Sequence, residues 1–165
     1  MKIVAVTANN RKKAFEVHTA KGDFTYPYAK LETPPAVHDR VVEVYPDEEV
    51  GNEAFTYKLE SGAEDTVHGD AVLEYNQDPS YLSEVLLHKL TLEALTAMEE
   101  SELSKRELIR RLETSPSQLY RLLDPTNSDK SVGQMLALLR LLGREVEFVV
   151  RPTRSKPRRR RSVTR

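Results

Sequence analysis

Three polar side chains, a hydroxyl, an amide and a guanidinium, lie close together in the segment PSQLYRLL at 116–123. They belong to Ser117, Gln118 and Arg121. If the segment is a helix, successive residues lie about 100° apart, so Ser117 and Arg121 fall within about 40° of each other, with Gln118 close by. Leu119 and Leu123 fall on the opposite side. The spacing therefore predicts a helix with one apolar face and one hydrogen-bonding face.

Such a face suits hydrogen bonding to base edges in a DNA major groove. Arg121 could bind guanine and Gln118 could bind adenine, each good pair giving roughly 1–3 kcal/mol of discrimination. The apolar face could pack on the preceding helix, on Leu108, Ile109 and Leu112. The alternative is an ordinary helical bundle, because any surface helix has a polar face. Geometry alone leaves both interpretations open.

Helical signals surround this segment from Asp78 onward. Asp78 can cap a helix that begins with Pro79 and runs to about Glu100. Three later starts share one signature, a serine with Glu or Gln three positions on, which is typical of a capping box. These pairs are Ser104 with Glu107, Ser115 with Gln118, and Ser131 with Gln134. The last helix should end at Gly143, and REVEFVVR at 144–151 predicts a terminal strand.

Before Ser80 the apolar residues alternate with polar ones, which predicts half-buried strands. AKGD and ESGAED have the composition of hairpin turns, and LETPPAVHDR is the longest predicted loop. Pro27 should lie on an edge strand because proline cannot donate a ladder hydrogen bond. The predicted strands are 15–19, 24–28 and 55–59, with shorter ones at 2–7, 41–45 and 71–75.

The fold class predicted is α+β, a small, mainly antiparallel β domain followed by four helices and a terminal strand. The domains are 1–77, 78–151 and a basic tail at 152–165. Residues 1–80 hold 8 Lys+Arg against 15 Asp+Glu, which gives −7, whereas residues 81–165 hold 17 against 11, which gives +6. Eight of those 17 cations follow Val150. This separation of charge indicates that one half meets a polyanion.

Residues 104–123 resemble the helix-turn-helix of the Cro/C1-type (XRE-like) repressor family, and the match covers about residues 80–143. The matching positions are Ser104, Leu108, Leu112, Thr114-Ser115 and Leu119. The residues that follow resemble antitoxin-type members, in which a loop leads to a fourth helix and a terminal strand. Ile109 and Glu113 depart from the family, which usually has alanine and glycine there. The resemblance implies sequence-specific binding of double-stranded DNA, commonly as a homodimer, with repression of the protein's own promoter.

The resemblance also assigns site residues. Ser117, Gln118 and Arg121 would contact bases, and Ser115 would meet a phosphate at the helix N-terminus or serve only as a cap. Further phosphate contacts would come from side chains on the first helix and in the loop before the last one, which could instead be a solvated face and turn formers. They are Lys105, Arg106, Thr126, Asn127, Ser128 and Lys130.

We predict no enzymatic activity, no cofactor and no metal site. The four histidines lie in separate elements, and the six glycines form no phosphate-binding loop. His68 should be a turn or surface residue. The sequence has no cysteine and no apolar stretch of 18 residues, so we expect no thiol chemistry and no membrane contact, in a cytoplasmic protein.

The acidic β domain has three open uses, namely sensing a small ligand, holding a partner protein such as a toxin, or forming a dimer. Tyr26, Tyr28, Tyr45 and Tyr57 could line a pocket or form ordinary core. Two hypotheses therefore stand, a DNA-binding repressor, or a type II antitoxin that neutralises a toxin and regulates its own operon. The terminal strand could pair across a two-fold axis and space two recognition helices about 34 Å apart, or close on its own β domain. The tail could contact DNA or RNA, or only add solubility.

Overall fold

The computed structural model describes residues 1–152, and the predicted basic tail from Thr153 onward lies outside the described residues. The chain forms two compact units, unit 1 over Met1–Lys89 and unit 2 from Leu90 onward. The boundary between the two units lies inside a helix. It comes later in the chain than Asp78, where the sequence changes from a strand pattern to a helical one. None of the helices within 1–152 has the length and apolar character needed to cross a membrane.

Unit 1 contains two three-stranded antiparallel sheets, with β2 central in the first and β5 central in the second. Pro27 pairs with Ala14 and ends edge strand β3, as predicted. Two short 3-10 helices lie at Tyr28–Lys30 and Glu48–Val50. The strands are β1 Ile3–Asn9, β2 Ala14–Thr19, β3 Gly22–Pro27, β4 Val41–Pro46, β5 Ala54–Leu59 and β6 Glu64–His68.

One predicted strand was wrong and one observed strand was not predicted. Residues 71–75 belong to helix α1, Gly69–Tyr75, which buries Val72 and Leu73. An apolar run this short does not distinguish a strand from a buried helix by its spacing. The sixth strand is instead β6, Glu64–His68. Apolar and polar residues alternate only weakly along it, and its first two residues were predicted to belong to the turn ESGAED.

The core of unit 1 is aromatic. Phe15 has no exposed surface, and its ring lies 4.9 Å from those of Tyr28 and Phe55 and 5.2 Å from that of Tyr57, measured between centroids. Tyr26 is buried as well. These tyrosines are therefore core residues, and of the four considered for a pocket only Tyr45 is partly exposed.

The four helices after Asp78 begin where the caps predicted. Helix α2 runs over Pro79–Glu100, across the unit boundary, and the Asp78 carboxylate accepts a hydrogen bond from the Tyr81 amide (3.0 Å). Of the three serine caps, only Ser131 forms the reciprocal capping box with Gln134. The remaining helices are α3 Lys105–Arg111, α4 Pro116–Leu123 and α5 Val132–Leu141.

The predicted terminal strand is not formed. Gly143 follows the C-cap of α5, Leu142, and has the left-handed φ of 73° that was expected of it. The residues that follow, 144–152, form neither strand nor helix. A strand exists only through hydrogen bonds to a neighbouring strand, and no described residue lies in such a pairing with this segment. The fold is thus α+β as predicted, with six strands in unit 1 and no described strand in unit 2.

Candidate nucleic-acid interface

The turn between α3 and α4 is fixed by a Schellman motif centred on Glu113. The Glu113 amide donates to the Arg110 carbonyl (3.3 Å) and the Thr114 amide to the Ile109 carbonyl (3.1 Å). Glu113 takes a positive φ of 51°, in the region that favours glycine. The chain therefore places a residue with a side chain in a backbone conformation that glycine adopts without strain.

Helix α4 starts directly after this turn. The Ser115 hydroxyl accepts a hydrogen bond from the Gln118 amide (3.2 Å), and Pro116 occupies the first helical turn, where no backbone N–H is needed. Ser115 is thus a structural cap, and its hydroxyl is already engaged.

Leucine side chains hold α4 in place. Leu119 is completely buried, as is Leu108 on α3. Leu122 and Leu123 are buried too, so the inner face of α4 carries three leucines. The other aliphatic core residues of this unit are Leu90, Ala94, Ala97, Met135, Leu138, Leu139 and Leu142. This packing fixes which side of α4 faces outward.

The outer face of α4 presents the three groups selected from the sequence. Ser117 and Arg121 are exposed, and Gln118 is half-buried. Within the part of the chain that the structure describes, their side chains form no hydrogen bond and no ion pair. The face is therefore available to donate and accept hydrogen bonds elsewhere.

Tyr120 was not selected from the sequence, yet it lies on the same outer face. Its side chain is 58% exposed, and the Lys105 ammonium on α3 lies 5.1 Å from the centre of its ring. The signal was present, because Tyr120 precedes Arg121 and lies about 60° from Ser117 around the helix. The contact links one predicted phosphate-binding residue, Lys105, to the α4 face.

Positive charge is concentrated on this helix pair. Residues 104–123 hold five Lys+Arg against two Asp+Glu, which gives +3, whereas residues 81–152 hold 10 against 11, which gives −1. Two of these five cations form ion pairs within α3, since guanidinium nitrogens of Arg110 and Arg111 lie 2.6 and 2.8 Å from a carboxylate oxygen of Glu107. Their hydrogen bonds, that of Arg110 first, lower the pKa of Glu107 to about 2. Arg106 and Arg121 form no ion pair in residues 1–152.

The loop after α4 uses most of its predicted phosphate-binding groups internally. The Lys130 ammonium donates to the carbonyls of Leu122 (3.0 Å) and Asp124 (2.7 Å), and burial lowers its pKa. Thr126 donates its hydroxyl to the Asp124 carboxylate (2.7 Å), and the Asn127 amide donates to the Arg121 carbonyl (3.1 Å). These three residues terminate α4, and of the four predicted residues in this loop only Ser128 makes no side-chain hydrogen bond within residues 1–152.

Two of the clefts in unit 1 have opposite charge. One, of about 730 Å³, is lined by acidic residues that include Asp47, Glu48 and Glu64. The other, of about 650 Å³, is lined by Arg11, Lys13 and Arg40 with apolar residues of the 31–40 loop. No group of three or more His, Cys, Asp or Glu side chains within residues 1–152 is arranged to hold a metal ion. His68 is exposed at the end of β6.

Comparisons of this chain with family models, with curated proteins and with solved structures found no match.

Proposed function

We propose that this protein is a sequence-specific DNA-binding protein, a transcriptional repressor of the Cro/C1 type, in which α3 and α4 act as a helix-turn-helix. One observation carries the proposal. Helix α4 buries its leucines and turns a hydroxyl, an amide and a guanidinium outward, and these three groups have no partner among residues 1–152.

The chemistry of this face suits direct reading of bases. Arg121 would donate two hydrogen bonds to the O6 and N7 atoms of guanine, and Gln118 would pair with N6 and N7 of adenine. Ser117 can bond to either base, and the exposed ring of Tyr120 can contact a thymine methyl group.

Phosphate contacts would orient the helix without reading sequence. Lys105 and Arg106 at the start of α3 and Ser128 in the following loop are exposed and able to reach a backbone. Ser115 would contribute as the cap of α4, because the free backbone amides at the N-terminus of that helix, such as that of Ser117, favour a phosphate. Lys130, Thr126 and Asn127 would act indirectly, by holding the end of α4.

The test is a selection on random oligonucleotides with the intact protein, repeated with Arg121→Ala. We expect an enriched palindromic sequence whose enrichment is lost in the variant, with a cost of about 1–3 kcal/mol for the guanine contact. Arg140→Ala is the matched control, since Arg140 is an exposed arginine on α5 and its removal changes the charge equally. No enrichment over shuffled sequence, or equal losses in both variants, would refute base reading by α4.

A second candidate is a type II antitoxin that neutralises a partner toxin and regulates its own operon. The acidic cleft of unit 1 favours it, since a surface of this charge suits a basic partner protein. A neighbouring gene for a small basic protein that stops growth when expressed alone would support the antitoxin. Operator binding that depends on a small ligand, with no such gene, would support the repressor.

A further inference from the structure

The segment after α5 is apolar, exposed and unpaired. Phe148 is 57% exposed, Val149 72% and Val150 93%. Residues 145–152 form no backbone hydrogen bond within the described chain. A segment of strand-forming residues whose N–H and C=O groups are all free is a template for pairing with another strand.

We propose that a second copy of this chain pairs with the segment, as an antiparallel two-stranded ribbon in which Phe148 lies opposite Phe148. Symmetry limits the possible registers. Opposed residues in an antiparallel pair point to the same face, and a two-fold axis perpendicular to the ribbon keeps each residue on its own face. The axis must therefore pass between two copies of the same residue. Registers in which a residue lies opposite its sequence neighbour in the other copy, such as Phe148 opposite Val149, are excluded.

Charge and length select Phe148 among the allowed centres. In this register Glu145 lies opposite Arg151 at both ends, Val146 lies opposite Val150, and Glu147 lies opposite Val149. Every residue of 145–151 has a partner, and the oppositely charged pairs stabilise the ladder.

The neighbouring centres are worse. A ribbon centred on Glu147 places that carboxylate against its own copy, which is destabilising. A ribbon centred on Val149 also places Glu147 opposite Arg151, but it pairs only residues 147–151 within the same stretch and leaves Glu145 and Val146 unpaired.

One face of the proposed ribbon is apolar. Val146, Phe148 and Val150 alternate along the segment, so both copies contribute them to one face, six side chains in all. The opposite face carries Glu145, Glu147, Val149 and Arg151. In the single chain, Phe148 and Val150 are exposed to solvent. In the ribbon, the apolar side chains of both copies form one continuous surface that can be buried.

The pairing extends the proposed function, because a two-fold dimer presents two copies of α4 to a palindromic site. The register of the ribbon follows from residues 145–151 alone, and dimerisation can be measured without DNA. A chain that dimerises but selects no sequence would contradict the proposed function alone, and a chain that selects DNA as a monomer would contradict the ribbon alone.

The test uses single-cysteine variants of the full chain, which has no cysteine of its own. Opposed Cβ atoms lie about 4.5–5.5 Å apart in a ladder, within reach of a disulfide after small adjustment, whereas diagonal neighbours lie about 7–8 Å apart. We expect diamide to convert Phe148→Cys to a covalent dimer of twice the mass and to leave Val149→Cys largely monomeric. A mixture of Val146→Cys and Val150→Cys should cross-link, although neither should do so alone.

A charge exchange keeps the proposal testable if a cysteine perturbs the segment. Glu145→Arg should raise the dimer dissociation constant by about tenfold, since two favourable pairs become repulsive. The double variant Glu145→Arg with Arg151→Glu should restore it, as measured by sedimentation equilibrium. A wild-type chain that stays monomeric at high concentration would overturn the ribbon, and cross-linking at Val149 instead of Phe148 would overturn its register.

Discussion

Unit 1 buries tyrosine and phenylalanine rings at its centre, whereas unit 2 exposes Tyr120, the only tyrosine after Leu90. Phe15, Phe55 and Tyr57 have no exposed surface, and their rings contact one another between the two sheets. The buried hydrophobic residues of unit 2 include no aromatic ring within the described part of the chain. The buried rings of unit 1 therefore support the fold, while the exposed ring on α4 is available to a partner.

The two units also differ in what holds them together. In unit 1, consecutive strands pair as hairpins in two separate sheets, and both sheets contribute to one core cluster, so one deletion there affects both sheets. In unit 2, short helices are fixed locally by serine caps and by leucines. We therefore expect core substitutions to act strongly in unit 1, and turn and cap substitutions to have small, local effects in unit 2.

The largest expected effect is that of Phe15→Ala. Removing a buried ring typically costs about 3–5 kcal/mol, and the cavity would open between the two sheets. Denaturant unfolding should be followed through near-UV tyrosine signals, because six of the seven tyrosines precede Leu90. We expect the tyrosine transition to move to much lower denaturant.

Leu119→Ala is the matched variant in unit 2, where deleting a buried leucine should cost about 2–5 kcal/mol. Its effect should appear mainly in the far-UV signal of the helices. If each variant shifted both signals equally, the two units would unfold as one cooperative body. That result would contradict separate stabilisation of the two units.

A second prediction concerns alkaline pH. Burial, and then the charge of Asp65, raise the pKa of Tyr57 well above the 10.0 of a free tyrosine. Its hydroxyl donates to the Thr33 carbonyl (2.7 Å) and lies 3.2 Å from Asp65. Since the folded pKa exceeds the unfolded one, the stabilisation is complete below about pH 10 and is lost as pH rises above it. Unit 1 should therefore unfold in alkali before unit 2.

The measurement is a pH titration that compares tyrosinate absorbance with far-UV circular dichroism. Tyr57→Phe is the control, because it removes the ionisable group and keeps the ring. It should make the unfolding of unit 1 less dependent on pH in this range. An unchanged pH dependence would show that Tyr57 does not limit alkaline stability.

The sequence predicted helices better than strands. Each of the four helices after Asp78 has a local signal, such as Asp78 with Pro79 or Ser131 with Gln134, and these caps lie where they were expected. A strand also depends on a second segment with which it can pair. Residues 71–75 formed a helix and residues 144–151 formed no strand, since nothing in a short apolar run states whether a neighbouring strand exists.

The candidate site was predictable to the same extent. The outward position of Ser117 and Arg121 follows from helical spacing, and the structure exposes both. The position of Lys130 does not follow from spacing, because its contacts with the Leu122 and Asp124 carbonyls depend on how the 124–131 loop folds back. Local periodicity thus predicts the face of a helix but not the conformation of the loop beside it.

The smallest expected effect, and the finest test of local control in unit 2, is Glu113→Gly. Left-handed backbone costs an ordinary residue about 1–2 kcal/mol, and glycine recovers this at an entropic cost of about 0.5–1 kcal/mol, so we expect a net gain of about 0.5–1 kcal/mol. Gln77→Gly is the matched variant in unit 1, since Gln77 ends α1 with a φ of 54°. Its gain should be smaller, because the Gln77 side chain donates to the Glu74 carbonyl (2.8 Å) and glycine cannot. Denaturant unfolding of both variants would measure the difference, and a larger gain at Gln77 would contradict it.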